Sequence, residues 1–427
     1  MKGIIQILVC CFANITLAMC SSQSDGEPVI YIVDYGGLPW KFVVTNNVAE
    51  IRDASYDNRR VSLYNFELYT PAIPRSTPGK ITTPSIFFDY DVLKFRVVKI
   101  GDKAFRGCTN IAAVSISPGI TEIGVQAFEN CRSLKEISIP EGVRSIGSRS
   151  FRYCEALKEI TIPDSVQTIG WASFLKCTSL ERVRWPDHIA DIPKYAFEEC
   201  KSLKAFTFPS SLRSIGKAAF SISGLMEISL PHTVTNIGEY AFSGCNSLRE
   251  VNLPSEMNTI GRAAFIGDDH LLEVKLPDNL ERIQSETFKY CLRLHSVSFP
   301  KDLKSIEDAA FSGCPALETL NFPNSLTNIG AYAFTQCSSL KEVEFPRHLK
   351  SLGASAFFHC SALKRVKLLG NAPYIQKELP FDTNVVVEVL EGTKGWDGDL
   401  WKSFKIRVVP SKDPNGERWE GLIPIVE

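Results

Sequence analysis

From Ile100 onward the apolar positions of the chain keep a fixed phase. A phenylalanine, usually preceded by alanine, stands at Phe105, Phe128, Phe151, Phe174, Phe197, Phe220, Phe242, Phe265, Phe288, Phe311, Phe334 and Phe357. Ten of the eleven steps are 23 residues; the step from Phe220 to Phe242 is 22, because "FSISGL" lacks a residue. Six places after the phenylalanine comes leucine, as in Leu134, Leu157 and Leu180, with Ile111 in the first copy. Nine places after it comes an aliphatic residue such as Val114, Ile137 or Val251, or else Phe206. Eleven places after it comes Ile139, Trp185, Phe208 or Leu253, usually with proline next. Eighteen places after it comes isoleucine, as in Ile123, Ile146 and Ile169, usually before glycine. The stretch L-x-x-V-x-L alternates at its end and predicts a short strand with one buried face. Proline stops that strand by removing a donor. The Ile-Gly and Ala-Phe segment then turns the chain back along the opposite side.

One such unit cannot bury its own apolar edge, so copies must cover each other as coils of a solenoid. Twelve coils at the strand spacing of about 4.8 Å predict a rod or horseshoe on the order of 55 Å long, with a parallel β-sheet on its concave face. The solenoid spans residues 100–369. Residues 21–99 lack the period, but "VIYIV", "KFVVTN" and "YNFELYT" with turn signals at Gly36-Gly37 and Asn46-Asn47 predict β-hairpins. They are expected to serve as an N-terminal cap, a separate binding module being the alternative, with a degenerate coil at "GKITTPSIFFDYDVLKFRVVKIG". Residues 370–427 predict strand, turn, short helix and strand, a small C-terminal cap in which Trp396 and Trp401 cover the last coil.

The units resemble the BspA-like leucine-rich repeat of bacterial surface proteins. "LKEISIPEGVRSIGSRSFRYCEA" and "LETLNFPNSLTNIGAYAFTQCSS" carry the resemblance nearly throughout, and it extends over about two-thirds of the chain. It implies a surface-exposed protein that mediates interactions, including adhesion, and a family with no shared catalytic site.

The first residues change the picture of where such a chain works. Met1-Lys2 followed by the uncharged "GIIQILVCCFANITLAMC" reads as a secretory signal over residues 1–20. Its end, "LAMCSS", resembles a lipoprotein signal in which Cys20 is lipidated, although Met19 stands where a small residue is usual. Ordinary cleavage and a secreted chain is the alternative. The polar "SSQSDGEP" would act as a tether. The expected location is therefore the cell surface or outer membrane through a lipid anchor, otherwise the medium.

Cysteine has a phase of its own. Besides Cys10, Cys11 and Cys20, the chain has ten, all three places after the marker phenylalanine, from Cys108 to Cys360. Disulfides are one reading for an exported chain. Metal is a second, though zinc sites need clustered ligands rather than one per coil. Buried free thiols are the third and the favoured one, since parallel Cβ directions suit a disulfide torsion poorly and cysteine packs as a small hydrophobe.

Composition adds exclusions. With 47 basic and 48 acidic residues the net charge of −1 gives no reason to expect nucleic acid or an anionic membrane surface as partner. The sequence has no G-x-S-x-G, phosphate-cradling loop or H-E-x-x-H. His188 and His348 share a phase but lie seven coils apart, and His359 and Cys360 point to different sides of a turn. "GDDHLL" suggests a metal site; the plainer reading has Asp268 replacing the cysteine in an irregular turn that bulges into solvent. We expect no cofactor, no metal and no catalysis.

The strand face is more informative. Seven, eight and ten places after the phenylalanine, side chains should face solvent. Lys135, Lys158, Arg182, Arg184, Arg249, Lys364 and Arg365 stand there, interleaved with acids, and "ERVRW" brings Arg182 and Arg184 together. A solvated face of weak ion pairs is one account. A polar binding surface is the other, with protein ahead of glycan because aromatic platforms are scarce on that side. The function expected is thus macromolecular binding or adhesion, with a protein ligand on a host or neighbouring cell. A scaffold or accessory subunit of a surface nutrient-uptake or glycan-binding assembly, held by outer-surface partners, is the alternative.

Overall fold

The computed structural model describes strand backbone at Cys11–Phe12, Ile15–Cys20, Val29–Tyr35, Leu38–Thr45, Val48–Ile51, Gly79–Thr82, Ile86–Asp89 and Leu93–Ile100, and backbone with side chains at residues 79–81 and 98–411 apart from 377. The side chain of Cys20, "SSQSDGEP" and "YNFELYT" lie outside these residues. The chain divides into two units, Met1–Leu225 and Met226–Glu427, and each is a parallel β-solenoid.

Three hydrogen-bonded ladders run through the first unit. The first is the predicted strand ladder: Glu136–Ser138 lies parallel to Ile111–Ser115 with Ile137 opposite Val114, and Glu159–Thr161 lies parallel to Arg182–Arg184 with Ile160 opposite Val183. Gly79–Thr82 joins Ile111–Ser115, so the degenerate segment adds a coil ahead of Phe105. The second ladder uses the repeat isoleucine. Ile100, Ile123, Ile146 and Ile169 stand in register in two-residue pairings that begin on Leu93–Ile100. A register of one repeat puts like residues opposite like, so each apolar position becomes a continuous column.

The third ladder carries the marker phenylalanine and has no strand character. Lys103, Phe105 and Gly107 donate their N–H groups to the carbonyls of Val125, Ala127 and Glu129 in the next coil, at 2.9, 2.7 and 2.8 Å. The N–H groups between them close back within the coil, as Arg106 does on Lys103 and Cys108 on Phe105. This alternation requires left-handed backbone two places before and after each phenylalanine. Gln126, Asn130, Arg149 and Tyr153 accordingly have φ of 58°, 67°, 58° and 62°.

Upstream, Val29–Tyr35, Leu38–Thr45 and Val48–Ile51 form an antiparallel meander whose pairs Tyr35–Leu38 and Thr45–Val48 flank the two turn signals. Val48–Ile51 then runs parallel to Leu93–Ile100, and Ile86–Asp89 pairs with that same strand antiparallel. Ile15–Cys20 also pairs with Val29–Tyr35.

The second unit repeats the plan. Glu227–Ser229 pairs with Glu250–Asn252, and Glu273–Lys275 with Ser296–Ser298, all parallel. Glu342–Phe345, Arg365–Leu368, Val386–Leu390 and Lys405–Val409 make a four-stranded end. Between the last two strands lies the 3-10 turn Trp401–Ser403. Trp401 is buried, with Trp396 and Phe404 against it at ring distances of 5.1 and 5.9 Å, and Phe404 meets Phe381 at 5.8 Å. The third ladder ends here too. Ser355 and Phe357 donate to the carbonyls of Leu379 and Pro380, and His359 to the carboxylate of Asp382.

The core is built from columns. Phe105, Phe128, Phe151 and Phe174 are fully buried, and successive rings lie 4.8, 5.4 and 5.5 Å apart within 5° of parallel. In the second unit Phe242, Phe265, Phe288, Phe311 and Phe334 stack in the same way at 5.2–5.5 Å. The ten repeat cysteines are free and buried. The thiol of Cys154 donates to the carbonyl of Phe128 at 3.3 Å, and those of Cys177, Cys200, Cys314 and Cys337 make the equivalent bond to the preceding coil.

One expectation fails. Asp268 does replace the cysteine of its coil, but it does not bulge into solvent: it is fully buried. One carboxylate oxygen accepts the Cys245 N–H at 2.8 Å and the other has no partner. Desolvation by burial drives its carboxyl well above the usual aspartate range, and the coil keeps its shape around the acid.

Candidate binding face

The strand ladder fixes which side chains reach solvent. Its central residue, such as Ile160 or Val251, points into the core, so the two residues beside it point out. Lys135, Lys158, Arg182, Arg184, Arg249, Lys364 and Arg365 are all exposed on this face. The backbone beneath them is held by a parallel ladder, so the side chains stand in rows spaced by one coil.

Within the first unit, Arg182 forks onto one oxygen of Glu159 in the coil before it, at 2.6 and 3.1 Å. Arg184 reaches Asp164 at 2.7 Å and the Ile162 carbonyl at 3.1 Å. The two arginines share a strand but serve different acids. The hydrogen bonds to Glu159 and Asp164 raise both guanidinium pKa values, with the acids' charges adding to the effect. Such exposed pairs contribute little to stability and leave the groups available to a ligand.

In the second unit the face dips. A shallow depression of about 590 Å³ is lined by Glu318, Thr319, Lys341, Glu342, Ala362, Lys364 and Arg365. Arg365 is tied to Glu342 at 2.8 Å, and one row over Lys367 is tied to Glu344 at 3.1 Å. Two of the predicted residues, Lys364 and Arg365, are thus brought together. Lys341, which has the same outward phase as Lys135, joins them, as do Glu318 and Thr319, whose shared phase with Lys135 and Glu136 is the signal that could have found them. Arg249 stands elsewhere on the unit, in a row with Met226 and Leu272, whose side chains are 42% and 41% exposed.

Ionisable groups do not converge into reactive pairs in the places the sequence raised. His188 shares its Nε2 with the Val166 carbonyl at 2.8 Å. His359 is exposed while Cys360 is buried. Burial pushes the thiols of Cys131, Cys154, Cys200 and Cys337 upward, and those of Cys314 and Cys360 to about 12, so they remain protonated and poorly nucleophilic. Among the described residues no group of three or more His, Cys, Asp or Glu side chains is arranged to hold a metal ion.

Comparison with known proteins follows the geometry. No curated protein sequence matches the chain. Among solved structures, a leucine-rich repeat protein from Bacteroides ovatus is 24% identical, with TM-score 0.58, covering 87% of this chain and 98% of its own. A leucine-rich cell surface protein from Faecalibacterium prausnitzii is 26% identical, with TM-score 0.54, covering 82% and 97%. The pneumococcal vaccine antigen PcpA is 18% identical, with TM-score 0.56, covering 96% and 100%, a likeness of fold alone. The family model for the BspA type leucine-rich repeat region matches residues 91–190, 172–295 and 258–385. The ladders, the phenylalanine column and this match together make the chain a member of the BspA-type leucine-rich repeat family.

Proposed function

We propose that the chain is an exported surface protein whose strand face binds a protein ligand on a host or neighbouring cell, without catalysis. The observation that carries this is the depression on the second unit, where Lys341, Lys364 and Arg365 alternate with Glu318 and Glu342 on a rigid sheet. Mixed charge on a fixed lattice favours a partner with a complementary charge pattern and disfavours others. The surface setting is supported by the family and by the Faecalibacterium structure, which is itself described as a cell surface protein. The anchor in this reading is a lipid on Cys20.

The test uses labelled chain on intact cells. Binding should be lost after the cells are treated with protease, and Lys364→Glu with Arg365→Glu should lower it about tenfold, roughly 1.4 kcal/mol. Undiminished binding to protease-treated cells overturns the protein ligand. Absence of cell binding, together with stable co-purification with membrane proteins, would make the chain a scaffold subunit instead. Cys20→Ala should release the chain from the membrane fraction; unchanged retention rejects the anchor.

A further inference from the structure

The side of the coil that carries the third ladder has its own surface, and in the first unit it holds an arrangement that the strand face lacks. Trp171 stands three places before Phe174 and is half-buried. The guanidinium of Arg149, from the coil before, lies over its ring at 4.0 Å, and the ammonium of Lys194, from the coil after, lies over it at 5.5 Å. Backbone hydrogen bonds lock the three into line. The Arg149 N–H donates to the Trp171 carbonyl and the Ala172 N–H to the Lys194 carbonyl, each at 2.9 Å.

Most cations on this side are neutralised. Arg106 and Arg152 both hold Glu129, at 2.8 and 3.2 Å, and Lys176 holds Glu199 at 3.2 Å. Arg149 and Lys194 make no ion pair among the described residues; each has an aromatic face as its neighbour instead. Asp191, on the adjoining ladder, accepts the hydroxyl of Ser214. The result is two cations, one half-buried and one exposed, both against the same indole.

We propose that this clasp is a docking site for a linear acidic polysaccharide lying along the stack of coils, its carboxylate or sulfate groups on Arg149 and Lys194. Charge complementarity carries the assignment. The indole is already engaged by two cations, so recognition is by charge and spacing rather than by stacking. The backbones that carry the two cations are two coils apart, about 9–10 Å. An extended acidic peptide presents carboxylates on one side every ~7 Å, out of step with that distance. A polysaccharide with one acidic group per disaccharide comes close to it. The site lies on another face from the protein-binding surface, so either can fail alone.

The test is binding of the purified chain to hyaluronate and to unsulfated chondroitin, each with one carboxylate per disaccharide, at about 0.15 M salt, where distant charges are screened, with dextran and poly-L-glutamate as comparisons. At least one acidic polysaccharide should bind, dextran should not, and poly-L-glutamate should bind at least tenfold more weakly. Arg149→Gln with Lys194→Gln should weaken polysaccharide binding tenfold or more at unchanged melting temperature. Arg182→Gln with Arg184→Gln, on the strand face, should leave it unchanged. Failure of both polysaccharides to bind overturns the proposal, as does full binding by the Arg149, Lys194 variant. Poly-L-glutamate binding as tightly as the polysaccharides would reassign the clasp to an acidic protein.

Discussion

At the scale of the residue, the carbonyl of Phe128 accepts two hydrogen bonds, from the Cys131 N–H in its own coil and from the Cys154 thiol in the next. A buried carbonyl has two lone pairs to satisfy, and the slot beside it is narrow and apolar. Cysteine suits both demands, being small, weakly polar and able to donate. Cys154→Ala keeps the volume roughly but removes the donor, and should cost about 1–2 kcal/mol in urea unfolding. Asp268 occupies the equivalent position, and the carbonyl that a thiol at this phase would take is that of Phe242. Asp268 makes no such bond: its second oxygen is without a partner, and desolvation favours the protonated form, while the first oxygen keeps the Cys245 N–H. The folded carboxyl lies above the usual aspartate value. Between those two values the folded chain therefore holds a proton that the unfolded chain has lost, and stability declines as pH rises through that window. Asp268→Asn supplies an N–H donor with no proton to lose. Melting curves against pH should show its stability nearly flat where the parent declines, with the variant ahead by about 1–2 kcal/mol at alkaline pH.

At the scale of the element, what was legible in the sequence is what periodicity can carry. The spacing of Leu134, Ile137 and Ile139 announced a strand with one buried face, and the 23-residue step announced stacking. The third ladder had no such signal. Its left-handed positions are filled by residues as different as Lys103, Gln126, Tyr153 and Ala172, because the hydrogen bonds to the next coil impose the conformation, not the side chain. The two-residue ladder at Ile123 and Ile146 was too short for alternation to register. Ile222 shows the cost of that imposition: it is β-branched, 44% exposed and has φ of 56°, a region such residues avoid. Ile222→Gly should therefore stabilise the first unit by about 1 kcal/mol, read as a higher urea midpoint with unchanged slope. Glycine at the repeat's Ile-Gly site answers a different need. A Cβ on Gly170 would stand 2.3 Å from the Ser148 nitrogen in the coil before, so there the side chain is absent to let two backbones approach.

At the scale of the whole molecule, phase also decided how much of the site could be read. Equal phase placed Lys364 and Arg365 on the outward rows, and they line the depression. Phase alone could not say that the face dips there, nor that Arg182 would be engaged by Glu159 rather than by Glu181 in first place, since both depend on side-chain reach between coils. The Trp171 clasp was missed because its members come from three coils and from the side where no strand was expected. The third ladder also gives each unit a direction, since the N–H groups that leave a coil there are all taken up by the following coil. In the second unit the donors of the Phe357 coil meet Leu379, Pro380 and Asp382, so the segment after the last repeat is an acceptor plate that only that end requires.

A consequence concerns growth by duplication. In the third ladder each coil receives from its predecessor and gives to its successor at equivalent positions, so an interior copy is interchangeable with an added or missing one, whereas the terminal plate is not. Excising residues 311–333, one full period, should leave a soluble chain that unfolds cooperatively with a proportionately smaller urea slope, while excising half a period from the same place should yield insoluble material. Length in such a protein is then free to drift, one whole turn at a time.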